Sequence, residues 1–269
     1  MIRLQFKVWL VWALLLCSIL PARADDKGVA VPILCYHRFG PTAADSMTTT
    51  TALFEQQLQF LHDQGYTVIP LHNLVAYLRG EAPAPAPKSV VITIDDGHRS
   101  VYEVARPLIE KYNIPVTLFI YPSAIANASY AMTWDQLRDL QAAGLFSIES
   151  HTYWHPNFKI EKRKQPAADY AKFVDIQLRK SKNTLEKKLG VEVKTLAWPF
   201  GIYDDELLEQ AKAAGYVAAF SIDRRAANSS STLMAIPRFL MTDADRGKAF
   251  ERLLTGSSTT GQLVTRAHP

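Results

Sequence analysis

Cysteine is scarce in this chain: there are two in 269 residues, Cys17 and Cys35. Cys17 lies in an N-terminal apolar stretch, so no disulfide framework holds the fold. Cys35 follows the apolar run Val31-Pro32-Ile33-Leu34 and reads as a buried core thiol. No motif marks it as an activated nucleophile. An excess of either charge is also missing. Thirty Lys and Arg face 26 Asp and Glu, a formal net charge of +4, of which Arg3, Lys7 and Arg23 supply three. No basic stripe with interleaved aromatics is present, which argues against nucleic acid as a partner. Lys162-Arg163-Lys164 and Lys187-Lys188 read as solvated surface. The sequence has no repeat of fixed period. Its longest apolar run falls short of the about 20 residues of a membrane span.

That run, Val8 to Leu20, follows the basic residues Arg3 and Lys7 and precedes Pro21-Ala22-Arg23-Ala24. A basic start, a short apolar core and a small-residue cleavage site predict an export signal over residues 1–24. The product would be periplasmic or secreted, with no stable membrane span after cleavage. An uncleaved anchor is the alternative. Leu16 before Cys17 argues against a lipoprotein signal. Nothing in the sequence names a protein partner.

From residue 25 onward, strand-like and helix-like segments alternate. Strands are expected at Val31–Tyr36, Tyr66–Ile69, Val90–Ile94, Val116–Tyr121, Phe146–Ser150, Val193–Trp198 and Val217–Ile222, with a last one near Met234–Phe239. Phe54, Leu58 and Leu61 recur at helical spacing. Further helices are expected at Leu71–Leu78, through Val104, Leu108 and Tyr112, at Ala167–Leu189, at Asp204–Ala214 and at Asp243–Leu254. Thr133 with Gln136 forms a capping box for another, which Gly144 ends. Glu81–Pro87, with alternating prolines, is an extended surface connection. The pattern predicts an α/β fold, an incomplete or distorted (β/α) barrel with six or seven parallel strands. In such barrels the chemistry sits at the C-terminal ends of the strands.

Two motifs fall at those ends. Thr93-Ile94-Asp95-Asp96-Gly97 follows one apolar strand, and His151-Thr152-Tyr153-Trp154-His155 follows another. One aspartate and two histidines suit a divalent transition metal with open positions for water and substrate. The second aspartate is then free to act as a general base. Each motif alone is weak, because Asp-Asp-Gly often marks a turn. Their convergence at strand ends is what carries the reading.

Together the two motifs resemble the first two signatures of the polysaccharide deacetylase family, the NodB-homology carbohydrate esterases. The resemblance runs from about Val31 to Phe239. Ile33-Leu34-Cys35-Tyr36-His37-Arg38-Phe39 and Ile236-Pro237-Arg238 resemble the exported branch that acts on exopolysaccharides such as poly-N-acetylglucosamine. It implies a deacetylase domain over residues 25–256, followed by a flexible tail at 257–269. It implies an acetylated polysaccharide as substrate and a divalent metal, zinc first, with cobalt or nickel as alternatives. Residue by residue, Asp95 would be the base, and Asp96, His151 and His155 the metal ligands.

Two departures matter. The family's third motif commonly places arginine where Ala197 stands in Ala197-Trp198-Pro199-Phe200. Arg238 is expected to supply that charge against Asp95. The family's late acid histidine is missing too, and His37 and His98 are its candidate substitutes, or else hydrogen-bonded structural groups. Trp198 and Phe200 are either walls of the sugar site or core packing. Asp223 tunes local charge or caps a turn. Two other classes remain open: a degenerate carbohydrate-binding relative, and an O-deacetylase or other amidohydrolase on the same barrel.

Overall fold

The computed structural model describes residues 29–255, so the expected signal (1–24) and the whole of the expected tail (257–269) lie outside it. The chain begins with β1 (Ile33–Tyr36), β2 (Arg38–Gly40), β3 (Thr48–Thr50), α1 (Thr51–Asp63), β4 (Thr67–Val68) and α2 (Leu71–Leu78). β5 (Ser89–Asp95), α3 (Arg106–Tyr112), β6 (Val116–Ile120), α4 (Trp134–Ala142), β7 (Phe146–Ser150), α5 (Phe158–Lys164) and α6 (Ala167–Leu189) follow. β8 (Thr195–Ala197), α7 (Asp205–Ala213), β9 (Ala218–Phe220), β10 (Phe239–Leu240) and α8 (Lys248–Thr255) complete it.

Seven parallel strands run in the order β10-β1-β5-β6-β7-β8-β9, and β4 adds to β5. This is the expected incomplete barrel. β5 is buried along its whole length, as a parallel strand covered on both faces should be. Its two faces feed two cores. Ile92 and Ile94 pack outward with the helices around Phe54, Leu58, Ile109 and Leu140. Val91 packs inward with Ile33, Phe119, Ala197 and Phe220, and α2 closes the lower end of that interior with Leu71, Leu74 and Val75. Among the described residues no helix is long and apolar enough to cross a membrane.

Local chemistry explains the boundaries. Thr133 and Gln136 form the capping box of α4, and Gly190 ends α6 at φ 68°. The last strand is shorter than expected. Leu233–Ala235 is a 3-10 turn, and only Phe239–Leu240 pairs as a strand. Ile236 makes a single parallel bridge to Phe220, and Pro237, which has no N–H to donate, interrupts the ladder. α8 begins at Lys248 rather than near Asp243. Asp243 instead accepts hydrogen bonds from Thr50, and Asp245 accepts from Thr242. The pair β2–β3 and the helix α5 were not expected. The basic run Lys162-Arg163-Lys164 is the last turn of α5, where cations complement the helix dipole.

Candidate functional site

Asp95 is the last residue of β5, and Asp96 turns away from the strand at φ 76°. Gly97 continues the turn at φ 78°, where a β-carbon would crowd Ile120 and Ile125. One turn of π-helix at Val101–Ala105 then leads into α3. Such turns often mark functional positions. The second motif follows β7. His151 N donates to Ile120 O at 2.8 Å, Trp154 N to Gln177 Oε1 at 3.1 Å, and Ser123 N to Tyr153 O at 3.0 Å. Thr152 and His155 sit at φ 64° and 62°, and Phe200 at 58°. Among the described residues, four of the seven non-glycine residues with positive φ are thus in these two loops and the neighbouring turn that carries Phe200. Backbone strain concentrated in this way is a mark of functional sites.

The two loops bring Asp96, His151 and His155 together, with their ligand atoms all within 4.8 Å of one another. Each histidine Nε2 lies 3.6 Å from Asp96 Oδ1. That oxygen is buried and has no hydrogen-bond partner. His151 Nδ1 donates to Ala197 O at 2.8 Å, which fixes the ring with its Nε2 turned toward Asp96. Burial, reinforced by His151, lowers the His155 pKa to about 4, so its ring is neutral near pH 7. An orphaned carboxylate oxygen facing two imidazole nitrogens fits a divalent metal.

Asp95 lies beside this cluster, 1% exposed, under an arginine that is 0% exposed. Arg238 donates from Nη1 to Asp95 Oδ1 at 2.8 Å and from Nη2 to Oδ2 at 2.7 Å. Its Nε donates to Ser221 O, and Nη1 also reaches Thr93 Oγ1. The guanidinium rests 5.3 Å above the Phe119 ring. Burial pushes the Asp95 carboxyl up, but Arg238, with His151 and His37, outweighs it and holds the group well below the usual carboxylate range. Cys35 adds an S–H donor to Asp95 Oδ2 at 3.4 Å. The chain thus supplies from β10's approach the cation that Ala197 cannot.

A cavity of about 250 Å³ opens over these groups. His37 lines it, and its Nδ1 is buried without a partner. Burial holds the His37 pKa below its ordinary value, against the pull of Asp95 and Asp96. Trp198 lines the cavity floor but is fully buried, with its Nε1 donating to Met234 O at 2.8 Å. It is both wall and core. Phe200 is 55% exposed at the rim, and its ring centroid lies 4.6 Å from that of His155. Gly201 beside it has no room for a β-carbon, which would run into Ile222.

His98 is not brought to this cavity. Its Nδ1 is bonded to Ser100, and its ring stacks on Tyr130 outside the lining. Two residues after Asp96, the left-handed turn has carried the chain away from the strand end. Asp223 accepts from Ser221 and Tyr203, tying down a turn. Three neighbours escaped the sequence reading. Met47 and Leu240 line the cavity, and Tyr121 packs on His155 at 5.4 Å between ring centroids. Only Tyr121, just past β6, carried a strand-end signal.

Comparisons with known proteins point the same way. A family model described as "Polysaccharide deacetylase" matches residues 82–219. A poly-beta-1,6-N-acetyl-D-glucosamine N-deacetylase of Staphylococcus aureus (strain MRSA252) is 31% identical over 207 residues, covering 75% of this chain and 69% of that protein. The solved structure of IcaB from Ammonifex degensii superimposes with a TM-score of 0.70 at 25% identity, covering 81% of this chain and 94% of that one. The Streptococcus pyogenes deacetylase PplD in complex with acetate shares the fold, with a TM-score of 0.75 at 24% identity, covering 84% of this chain and 98% of that one. Both signature motifs, the barrel that presents them and these matches agree, and the chain belongs to the polysaccharide deacetylase family.

Proposed function

We propose that this protein is an exported, metal-dependent deacetylase that hydrolyses N-acetyl groups of an amino-sugar polymer of the poly-N-acetylglucosamine type. The observation that carries the reading is the juxtaposition of Asp96, His151 and His155 with an Asp95 that Arg238 keeps ionised. The N-acetyl preference and the polymer follow the named activity of the 31% identical relative. The export follows the basic, apolar and small-residue pattern of residues 1–24.

Asp96, His151 and His155 would hold the metal. When bound, a divalent ion such as zinc, or cobalt or nickel in its place, supplies Lewis acidity toward the acetyl carbonyl and makes a neighbouring water more acidic. Asp95 stays anionic through the working pH range and takes the proton of the attacking water. Arg238 fixes the plane of that carboxylate with a two-pronged grip, so its acceptor direction is set before substrate arrives. The low proton affinity that results makes Asp95 a weak base. The departing amine must gain a proton, and His37, which lines the cavity and has a buried, unpartnered Nδ1, would pass on to it the proton taken by Asp95. Phe200 offers an exposed apolar face to a pyranose ring.

Acetate release decides between the three classes. The mature protein, treated with a chelator and then given zinc, cobalt or nickel, should release acetate from N-acetylated glucosamine oligomers. Release from O-acetylated oligosaccharides alone would identify an O-deacetylase. Binding of oligomers with no release under any metal would identify a degenerate carbohydrate-binding relative.

A further inference from the structure

The lower end of the barrel holds a second cavity, of about 300 Å³, at the end opposite the Asp95 site. That volume is at the small end of ligand pockets, which span about 300–1,000 Å³, and suits one small molecule rather than a polymer. α2 forms one wall, and Thr117, Ser147, Glu149 and Thr195 face it from three neighbouring strands. β6 and β7 pair Thr117 with Ser147 and Phe119 with Glu149, so alternate residues of each strand turn to the same interior. The layer of Phe119, Ala197 and Phe220 lies between this cavity and Arg238.

The polar groups there are only partly satisfied. Glu149 Oε2 accepts from the backbone N–H groups of Lys194 and Thr195, at 2.9 and 2.7 Å. Glu149 has no ion pair of its own among the described residues. The two lysines that feel its charge have other partners, Lys182 with Glu186 and Lys194 with Glu192; Lys194 and Arg79 both line the cavity, and Arg79 is paired with Glu81 at 2.6 Å. Thr195 is 4% exposed, and its hydroxyl lies near the same carboxylate but outside hydrogen-bond geometry, so Oγ1 is buried without a partner. Thr117 and Ser147 share one hydrogen bond at 2.8 Å, leaving lone pairs and a donor free for a guest. Val75 and Val217 give the cavity apolar walls.

We propose that this lower cavity is a second ligand site, which takes a small primary amine carrying hydroxyl groups, of single amino-sugar size, with Glu149 as its counter-ion. The ammonium would supply the charge that Glu149 lacks, and ring hydroxyls would satisfy Thr195, Thr117 and Ser147. The apolar walls would take the C–H face of the ring. Burial pushes the Glu149 carboxyl up to about 7, so a cationic guest would also hold it ionised. The proposal does not depend on the reaction proposed for the upper site.

Isothermal titration with glucosamine, N-acetylglucosamine and glucose tests it, on the wild-type chain and on His151→Ala. Glucosamine should bind both proteins alike, and the two neutral sugars about 10-fold or more weakly. Glu149→Gln, which retains an acceptor for the two amides, should weaken glucosamine about 10-fold or more. Ala76→Phe, on the α2 wall, should do the same by filling the space while leaving every polar side chain of the cavity in the sequence. Absence of glucosamine binding, equal binding of glucose, or binding abolished by His151→Ala and untouched by Ala76→Phe would each overturn the proposal.

Discussion

Asp95 and Glu149 are two carboxyl groups on neighbouring parts of one sheet, and their proton affinities have moved in opposite directions. Desolvation raises both. At the upper end a buried guanidinium, joined by His151 and His37, reverses the effect and holds Asp95 far below its ordinary value. At the lower end two backbone amides only moderate it, and Glu149 comes to rest at about 7. Burial alone therefore does not set the charge of a group in this barrel; the presence or absence of a desolvated cation beside it does. The upper carboxyl is fixed as an anion at every working pH. The lower one is poised to change.

The hardest way to break the upper end is to remove what faces Asp96. His151→Ala or His155→Ala should abolish metal uptake and acetate release together, by elemental analysis and assay of the same preparations. Undiminished metal in both variants would remove them as ligands. Asp95→Asn sharpens the contrast by removing charge while keeping shape. It should keep the fold and most of the metal but lose ~100-fold or more in turnover. Removing the cation instead, by Arg238→Met, leaves Asp95 buried and unpaired. That should cost about 3–5 kcal/mol in chemical denaturation, whereas Arg238→Lys should fold but lose much of its activity, because a point charge lacks the planar fork. A near-native Arg238→Met protein would show that the pair is dispensable.

The smallest effect belongs to Glu149. Its folded value of about 7 lies above its ordinary 4.5, so the folded state holds the proton more tightly than the unfolded one. The associated stability is fully present below pH 4.5 and lost as pH rises to 7 and beyond. Between those values the wild type should lose melting temperature relative to Glu149→Gln, on the order of 2–4 °C. Parallel melting curves for the two proteins would show that the group is not perturbed.

Much of the upper end was legible because its chemistry is written in short runs. Asp95-Asp96-Gly97 and His151 to His155 each follow an apolar strand, and a strand end is a place as well as a pattern. Even the missing arginine at Ala197 was informative, since a buried base without a cation is incomplete, and Arg238 lies where that gap asked for it. Other features had weaker signals. β2 and β3 are three residues each, too short for periodicity to register. The final strand was overestimated because Pro237 was weighed too lightly. His98 follows Asp96 closely in sequence, yet two positive-φ residues redirect the chain between them. The lower cavity had a signal that went unread: Ser147 and Glu149 alternate with Phe146 and Ile148 along β7, polar residues on the face that should be core.

The Asp95–Arg238 pair joins residues 143 apart in sequence, across the seam where the half-barrel's first and last strands meet. The pair therefore forms only once the last segment of the barrel is in place. A nascent chain, or one whose last segment has come loose, keeps both motifs and every candidate metal ligand, but its Asp95 has no counter-ion. The ion pair is complete only when Ile236-Pro237-Arg238 has docked, so in the proposed reaction a chain cut before that tripeptide should release no acetate.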